Sequence, residues 1–467
     1  MRFLSALVLL TLVLAIGAGC DRPFVEESPP SITILSPNLS TVVTEPVVVV
    51  EVQVDSELRG IDTVRVNGRG AAFDPETQTY RLDFAFARGV NALQIEAEDA
   101  GGNVSRATRF GVFLPAAFAL ETTGPAFVLM PEALGGHAAV RLEDGRVLVT
   151  GGAPQRDGAV RDRAYVFNPE SNRFETLSAR MVEARAGHTA SLLPDGRVLL
   201  LGGVRQSPAS GFGDFVTDGE LFDPRTETFT RVTLSERSPA MIRADHAAHV
   251  VTVDGGTFVY VIGGRGRIAS SGTAVGTRSD FRILELVPPN DGFGAGPTLD
   301  SGLSVGPALA RTPTAVSAFT FTALGAQDEQ GFGDFLLAGT YVPPNDIAVD
   351  SVALAVTLGL NPSYDDVPVR PMTTARIGHA GDAIEPGLVL VAGGQVRGTG
   401  APVPEAEVYA AEARRFFAFP LASGAPRLNV GRSDHTATKL ADGRILFLGG
   451  FDRNGAGIAL AEFFTTL

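Results

Sequence analysis

Five times between residues 137 and 450 the chain repeats one unit: a histidine, two apolar stretches separated by a polar turn, and a pair of glycines. The units are HAAVRLEDGRVLVTGG from His137, HTASLLPDGRVLLLGG from His188, HAAHVVTVDGGTFVYVIGG from His246, HAGDAIEPGLVLVAGG from His379 and HTATKLADGRILFLGG from His435. From histidine to first glycine is fourteen residues in four of them and seventeen in the unit from His246. Such self-similarity means that each unit is one supersecondary element, unable to bury its apolar face except against its neighbours. Two short apolar runs around an Asp-Gly type of turn predict a β-hairpin. A third run follows each glycine pair, at 164–169, 220–224, 282–286, 406–410 and 461–464, and a fourth carries an aromatic at Phe174, Phe229 and Phe417. Four antiparallel strands per repeat predict one propeller blade each.

The gap between the glycine pairs at 263 and 393 is too long for one repeat, so a worn one is expected at about 311–362. Arg311 precedes Thr314 by three, as Arg185, Arg243, Arg376 and Arg432 precede their histidines, so Thr314 replaces the histidine there. That makes six blades over residues 116–467. The chain ends after the third strand of the last blade, and Phe127-Val128-Leu129-Met130 is expected to supply the fourth and remove the open edge.

The glycine pair, the strand before it and the later aromatic resemble the kelch repeat, with Phe where that family often has Trp. The resemblance implies a six-bladed kelch-like β-propeller. Copper radical oxidases share this architecture but need a cysteine crosslinked to a tyrosine. The only cysteine here is Cys20, which excludes that chemistry. A sialic-acid mutarotase class also uses the fold, but no motif here assigns it.

Residues 1–20, MRFLSALVLLTLVLAIGAGC, carry one charged side chain, Arg2, before an apolar run and small residues, and read as a secretion signal. The ending Gly17-Ala18-Gly19-Cys20 resembles a bacterial lipobox, which implies lipidation of Cys20 and a membrane anchor. Residues 21–30 are charged and Pro-rich and are expected to be a tether. In 31–115, short β-rich runs are separated by Gly, Asn, Asp and Pro, and Tyr80, Leu82, Phe84 and Phe86 alternate as on one face of a strand. A small antiparallel sandwich is expected. Val66-Asn67-Gly68, Gly89-Val90-Asn91-Ala92-Leu93 and 96–103 resemble bacterial immunoglobulin-like domains of the glucodextranase domain B type, which implies a spacer or stalk. Asp99 and Asn103 read as hairpin-turn residues in preference to a calcium site. The expected fold class is therefore all-β, an Ig-like sandwich followed by the propeller.

A net charge of −14 argues against nucleic-acid binding, and the absence of Trp argues against the usual aromatic-platform carbohydrate module. One histidine per repeat spreads the imidazoles around a ring, so they read as structural, with no metal centre, cofactor or catalytic residue assigned. The loops after the glycine pairs carry Arg156, Arg205, Arg265 with Arg267, Arg397 and Arg453. With the arginines that precede the histidines, these predict a basic ring at one mouth, able to hold an anionic ligand. The expected function is a lipid-anchored binding or scaffold protein of the bacterial cell envelope, monomeric, whose loop face takes a protein or glycan partner. The alternative is an envelope carbohydrate-active enzyme of hydrolase or mutarotase type.

Overall fold

The computed structural model describes residues 28–56, 60–119, 122–123, 126–205, 214–234, 242–267, 275–287, 298–301, 311–342, 349–358, 363–364, 372–396, 398–419 and 426–466. Among these residues the secondary structure is all β, and no helix is long and apolar enough to cross a membrane. Cys20 and the signal and tether lie outside the described residues, apart from 28–30.

The chain divides into two compact units. The smaller contains Glu51–Leu82 and Gln94–Thr108 together with residues up to Leu35. Its strand Ile61–Val66 pairs antiparallel with 95–99, which puts Val64 and Val66 beside Ala97 and Ile95, and all four are buried. Ala72–Asp74 pairs with 79–81. The Asp99 carboxylate accepts the amides of Gly101 (2.8 Å) and Asn103 (2.9 Å), while Asn103 Nδ2 donates to its other oxygen at 3.0 Å. The pair thus closes a turn, using the short polar side chain as turns commonly do.

The larger unit comprises Ser36–Val50, Asp83–Leu93 and Arg109–Leu467. From residue 138 onward its strands fall into successive antiparallel groups, of which the second to fourth are joined in one larger sheet by the parallel pair of 233–234 with 298–299 and by the pairing of Val275–Val287 with Arg311–Ala323. The first has strands Ala138–Arg141, Val147–Thr150, Ala164–Asn168 and Arg173–Thr176 in that order. The second follows with Thr189–Leu192, Val198–Leu201, Gly219–Asp223 and Thr228–Leu234. The third is Ala247–Val253, Gly256–Ile262, Val275–Val287 and Thr298–Ser301, and the fourth is Arg311–Ala323, Gly333–Val342, Val349–Leu358 and Ser363–Tyr364. The fifth is Ala380–Glu385, Leu388–Ala392, Ala406–Ala410 and Arg415–Ala418. The sixth contains Thr436–Lys439, Ile445–Leu448 and Ala461–Thr466. The opening strand of each sheet touches that of the next, and Ala138–Arg141 touches Thr436–Lys439, so the order closes on itself. This is the radial order of a β-propeller. Second strands such as Val198–Leu201 and Leu388–Ala392 are buried throughout, because both of their faces meet a neighbouring sheet.

The last sheet takes its fourth strand from Ala116–Ala119, in register from Ala116 opposite Thr466 to Ala119 opposite Phe463. This corrects the expectation that Phe127–Met130 fills that role. Leu129 only bridges Leu460, with Met130 N donating to Ala459 O at 2.9 Å. The side chains give the reason. Val128 and Met130 point into the core with Leu134 and Leu448, while Phe127 and Leu129 stay half exposed, so this segment seals the seam between sheets.

The repeated histidine and glycine belong to the same seam. His188 Nε2 meets Thr150 Oγ1 at 2.9 Å, His246 Nε2 meets Thr189 Oγ1 at 3.2 Å, His137 Nε2 meets Thr436 Oγ1 at 3.1 Å, and His379 Nε2–H donates to the Ala338 carbonyl at 3.0 Å. Each therefore ties its sheet to the preceding one. The first glycine of four of the pairs, Gly151, Gly202, Gly393 and Gly449, lies against the imidazole of the following sheet. A Cβ on Gly202 would stand 2.6 Å from His246 Cε1, and one on Gly393 would stand 2.4 Å from His435 Cε1. Both glycines also have positive φ, +69° and +71°. Glycine is required by space and by backbone conformation together.

The arginine three residues before the histidine is buried in the same way. Arg185 pairs with Glu220 (2.5 Å), Arg376 with Glu407 (2.6 Å) and Arg432 with Glu462 (2.5 Å), all with side chains at most 1% exposed. Each guanidinium also donates to the carbonyl of the first glycine of its repeat, Gly202, Gly393 or Gly449. Each glutamate accepts two backbone amides, such as Asn429 and Val430 at Glu462. These arginines are buried against their glutamates and do not face a mouth.

Candidate site at the mouth of the sheet ring

The residue just before each opening strand's histidine lines the centre of the ring. Gly187 N donates to Gly136 O, Asp245 N to Gly187 O, Asp434 N to Gly378 O, and Gly136 N to Asp434 O, all at 2.7–2.8 Å. The position demands a left-handed backbone. Gly136, Gly187 and Gly378 have φ of +65°, +67° and +64°, and Asp245 and Asp434 adopt +52° and +54°. An L-residue there is strained by about 1 kcal/mol or more, and only Asn and Asp tolerate it at all readily. Three repeats avoid the strain with glycine and two accept it with aspartate. Strain of this kind concentrates where a side chain is needed for function.

Both aspartates occupy room left by a neighbouring glycine: a Cβ on Gly187 would meet Asp245 Oδ1 at 2.5 Å, and one on Gly378 would meet Asp434 Oδ1 at 2.7 Å. They belong to the third and sixth sheets, opposite members of the ring. Each holds an arginine from a loop that follows a glycine pair. Arg156 Nη1 donates to Asp434 Oδ2 at 2.6 Å and its Nη2 to Ser433 Oγ at 2.7 Å. The Arg156 guanidinium also lies over the Phe451 ring, 4.9 Å from its centre. Arg265 Nε donates to Asp245 Oδ2 at 2.6 Å, and a second nitrogen, Nη2, also contacts that oxygen. The carboxylates stay partly open to solvent, Asp434 at 31% and Asp245 at 27%. Burial raises the Asp434 carboxyl above its ordinary range; the Asp245 charge adds to this, and Arg156 opposes it. The two aspartates are thus electrostatically coupled across the ring.

The structure places the arginines expected at this face in different surroundings. Arg156 and Arg265 converge on the aspartate pair. Arg205 is bound to Glu183 (2.8 Å) and Asp214 (3.3 Å), beside Arg231, which pairs with Asp218. Arg453 is exposed. Arg267 lies in the strand Arg265–Arg267 with its side chain outside the described residues, and Arg397 is also outside them. Among the described residues, two of the expected arginines, Arg156 and Arg265, are thus each paired with an aspartate at the mouth. Sequence reading missed Asp245 and Asp434. Their signal was legible: aspartate directly before His246 and His435, where His137, His188 and His379 follow glycine.

The histidines take no part in the mouth. Burial lowers His137 to about 4, His246 to about 3 and His379 to about 4, so they are neutral packing groups near pH 7. Among the described residues no three His, Cys, Asp or Glu side chains are grouped to hold a metal ion.

No protein-family model and no curated protein matches the chain. Among solved structures, the protein YjhT aligns at 12% identity with a TM-score of 0.49, covering 72% of this chain and 98% of its own. A fungal alcohol oxidase of the AA5 family, solved in complex with copper, aligns at 14% identity with a TM-score of 0.45, covering 91% of this chain and 76% of its own.

Proposed function

We propose that the chain is an exported, lipid-anchored binding protein of the bacterial envelope, an Ig-like sandwich followed by a six-bladed kelch-like propeller, whose mouth recognises an acidic group on a glycan or protein partner. The observation that carries this reading is the strained Asp245 and Asp434, each holding an arginine at the ring centre. A fold that needed only closure would place glycine at both positions, as it does at Gly136, Gly187 and Gly378. An incoming carboxylate or sulfate can replace the aspartate contacts of Arg156 and Arg265 and form charge-assisted, bidentate hydrogen bonds. The aspartates hold the guanidiniums in place until then and keep the empty mouth from trapping any small anion. Because Asp434 is held above the usual carboxylate range, its protonation frees Arg156 and favours an anionic ligand.

The test uses residues 20–467 with Cys20→Ser. Oligogalacturonate and a neutral oligosaccharide of equal length are titrated by calorimetry at pH 7.5. The expected result is binding of the acidic glycan, weakened at least tenfold by Arg156→Ala with Arg265→Ala, while any binding of the neutral oligosaccharide is left unchanged by that double variant. Equal binding by that double variant sinks the reading. The second reading is a carbohydrate-active enzyme. A coupled carboxylate pair with one member raised is the arrangement a general acid and base need. Release of reducing sugar that disappears in Asp434→Asn would favour it.

A further inference from the structure

The smaller unit has a cleft of its own. It measures about 870 Å³ and is lined within Gln53–Tyr80 by Gln53, Asp55, Asp62, Thr63, Phe73 and Tyr80, among others. That volume lies in the range of small-molecule sites.

Phe73 is 49% exposed, on the strand Ala72–Asp74 at the edge of its sheet. Its ring packs against Tyr80, with centroids 5.1 Å apart and planes tilted by 53°. Gln53 and Asp55 are exposed and joined to each other, Nε2 to carboxylate at 3.2 Å, so they are preset as one amide–carboxylate pair. The Thr63 hydroxyl is shielded from water yet has no hydrogen-bond partner among the described residues. Gly60 and Gly70 border the cleft, and a Cβ on either would meet nothing within 4 Å, so both backbones are open to the space.

We propose that this cleft is a second binding site, separate from the mouth, for a neutral oligosaccharide. The chemistry selects that class. A sugar ring has an apolar C–H face that lies on an aromatic ring and a rim of hydroxyls that both donate and accept. Phe73 supplies the face, and Gln53 and Asp55 supply the rim. The ionisable lining disfavours anions. Asp55 and Asp62 stand against one arginine, Arg65, which Glu96 already engages at 3.5 Å.

The experiment titrates residues 20–467 carrying Cys20→Ser with neutral tetrasaccharides of glucose, xylose and N-acetylglucosamine, by calorimetry. Binding of at least one is expected, with a tenfold or greater loss in Phe73→Ala, retention in Phe73→Tyr, and no change in Asp434→Asn. Thermal melting of the Phe73 variants should match the parent, since the ring is half exposed. Absence of binding by all three sugars overturns the proposal. Binding that survives Phe73→Ala, or that Asp434→Asn abolishes, overturns it as well, the latter by moving the sugar to the mouth. The mouth reading stands or falls separately, on oligogalacturonate and the arginine variants.

Discussion

Leu134 and Tyr165 pack in one core at the two positions where the second, fifth and sixth sheets bury an arginine–glutamate ion pair. Leu134 stands three residues before His137, as Arg432 stands before His435. Tyr165 pairs with Val149, as Glu462 pairs with Phe447. The Tyr165 hydroxyl donates to Glu132 at 3.1 Å, and burial, with help from that carboxylate, raises it to about 12. Both members of the pair changed together, which is what the energetics of burial require: a lone guanidinium or carboxylate at either place would be uncompensated.

Removing one partner is therefore expected to cost about 3–5 kcal/mol, and replacing both much less. Glu462→Ala should lower the urea midpoint sharply. Arg432→Leu with Glu462→Tyr, which copies the first sheet, should recover most of the loss. A double variant no more stable than the single one would mean that the ion pair itself, and not the stranded charge, supplies the stability.

The seam predicts an asymmetry among glycines. Gly393→Ala meets His435 Cε1 at 2.4 Å and adopts φ of +71°. It should cost the left-handed penalty of about 1 kcal/mol plus roughly 1–3 kcal/mol of overpacking. Gly443→Ala has φ of +90° in a hairpin with nothing within 4 Å, and should cost the first part only. Paired thermal melts check the difference; equal losses would remove the steric argument.

Asp434→Gly separates function from folding. The substitution relieves about 1 kcal/mol of backbone strain and gives up a partly exposed ion pair that contributes about 0–1 kcal/mol. The melting temperature should scarcely move, while discrimination of acidic over neutral glycans at the mouth is lost. Asp434→Ala keeps the strain and should be the less stable variant. A large destabilisation by Asp434→Gly would make the residue structural.

Acid should loosen the ring through its histidines. His137, His246 and His379 are held by burial at about 4, about 3 and about 4, below the ordinary 6.5. A histidine whose folded pKa is depressed contributes stability above the unfolded value, and the contribution falls as pH drops from about 6.5 toward the folded value. Each such histidine should therefore remove on the order of 3 kcal/mol by pH 4. His246→Gln should flatten the acid limb of stability against pH, measured by urea titration between pH 7 and 4. An unchanged limb would mean that another group sets it.

Much of the architecture was legible in the chain itself. Apolar alternation, Asp-Gly turns and the recurring glycine pair locate the hairpins and third strands, and 311–364 carries strands where a worn repeat was expected. These signals act over a few residues, so they survive without knowledge of the fold. The Glu220 partner of Arg185 lies 35 residues away, and its place is visible only once the third strand's register is known. The closing strand at Ala116–Ala119 and the seam at Val128 and Met130 were likewise decided by which side chains a neighbouring sheet could bury.

The sequence by itself determined an all-β chain of repeated hairpins, with glycine, histidine and arginine recurring at set positions. Only the tertiary structure decided what those residues do. Ring closure buries one set of arginines against glutamates and brings Asp245 and Asp434, 189 positions apart in the numbering, to one mouth with Arg156 and Arg265. Turn and strand preferences are local, whereas charge pairing depends on which sheets abut, and no short stretch of sequence encodes that contact.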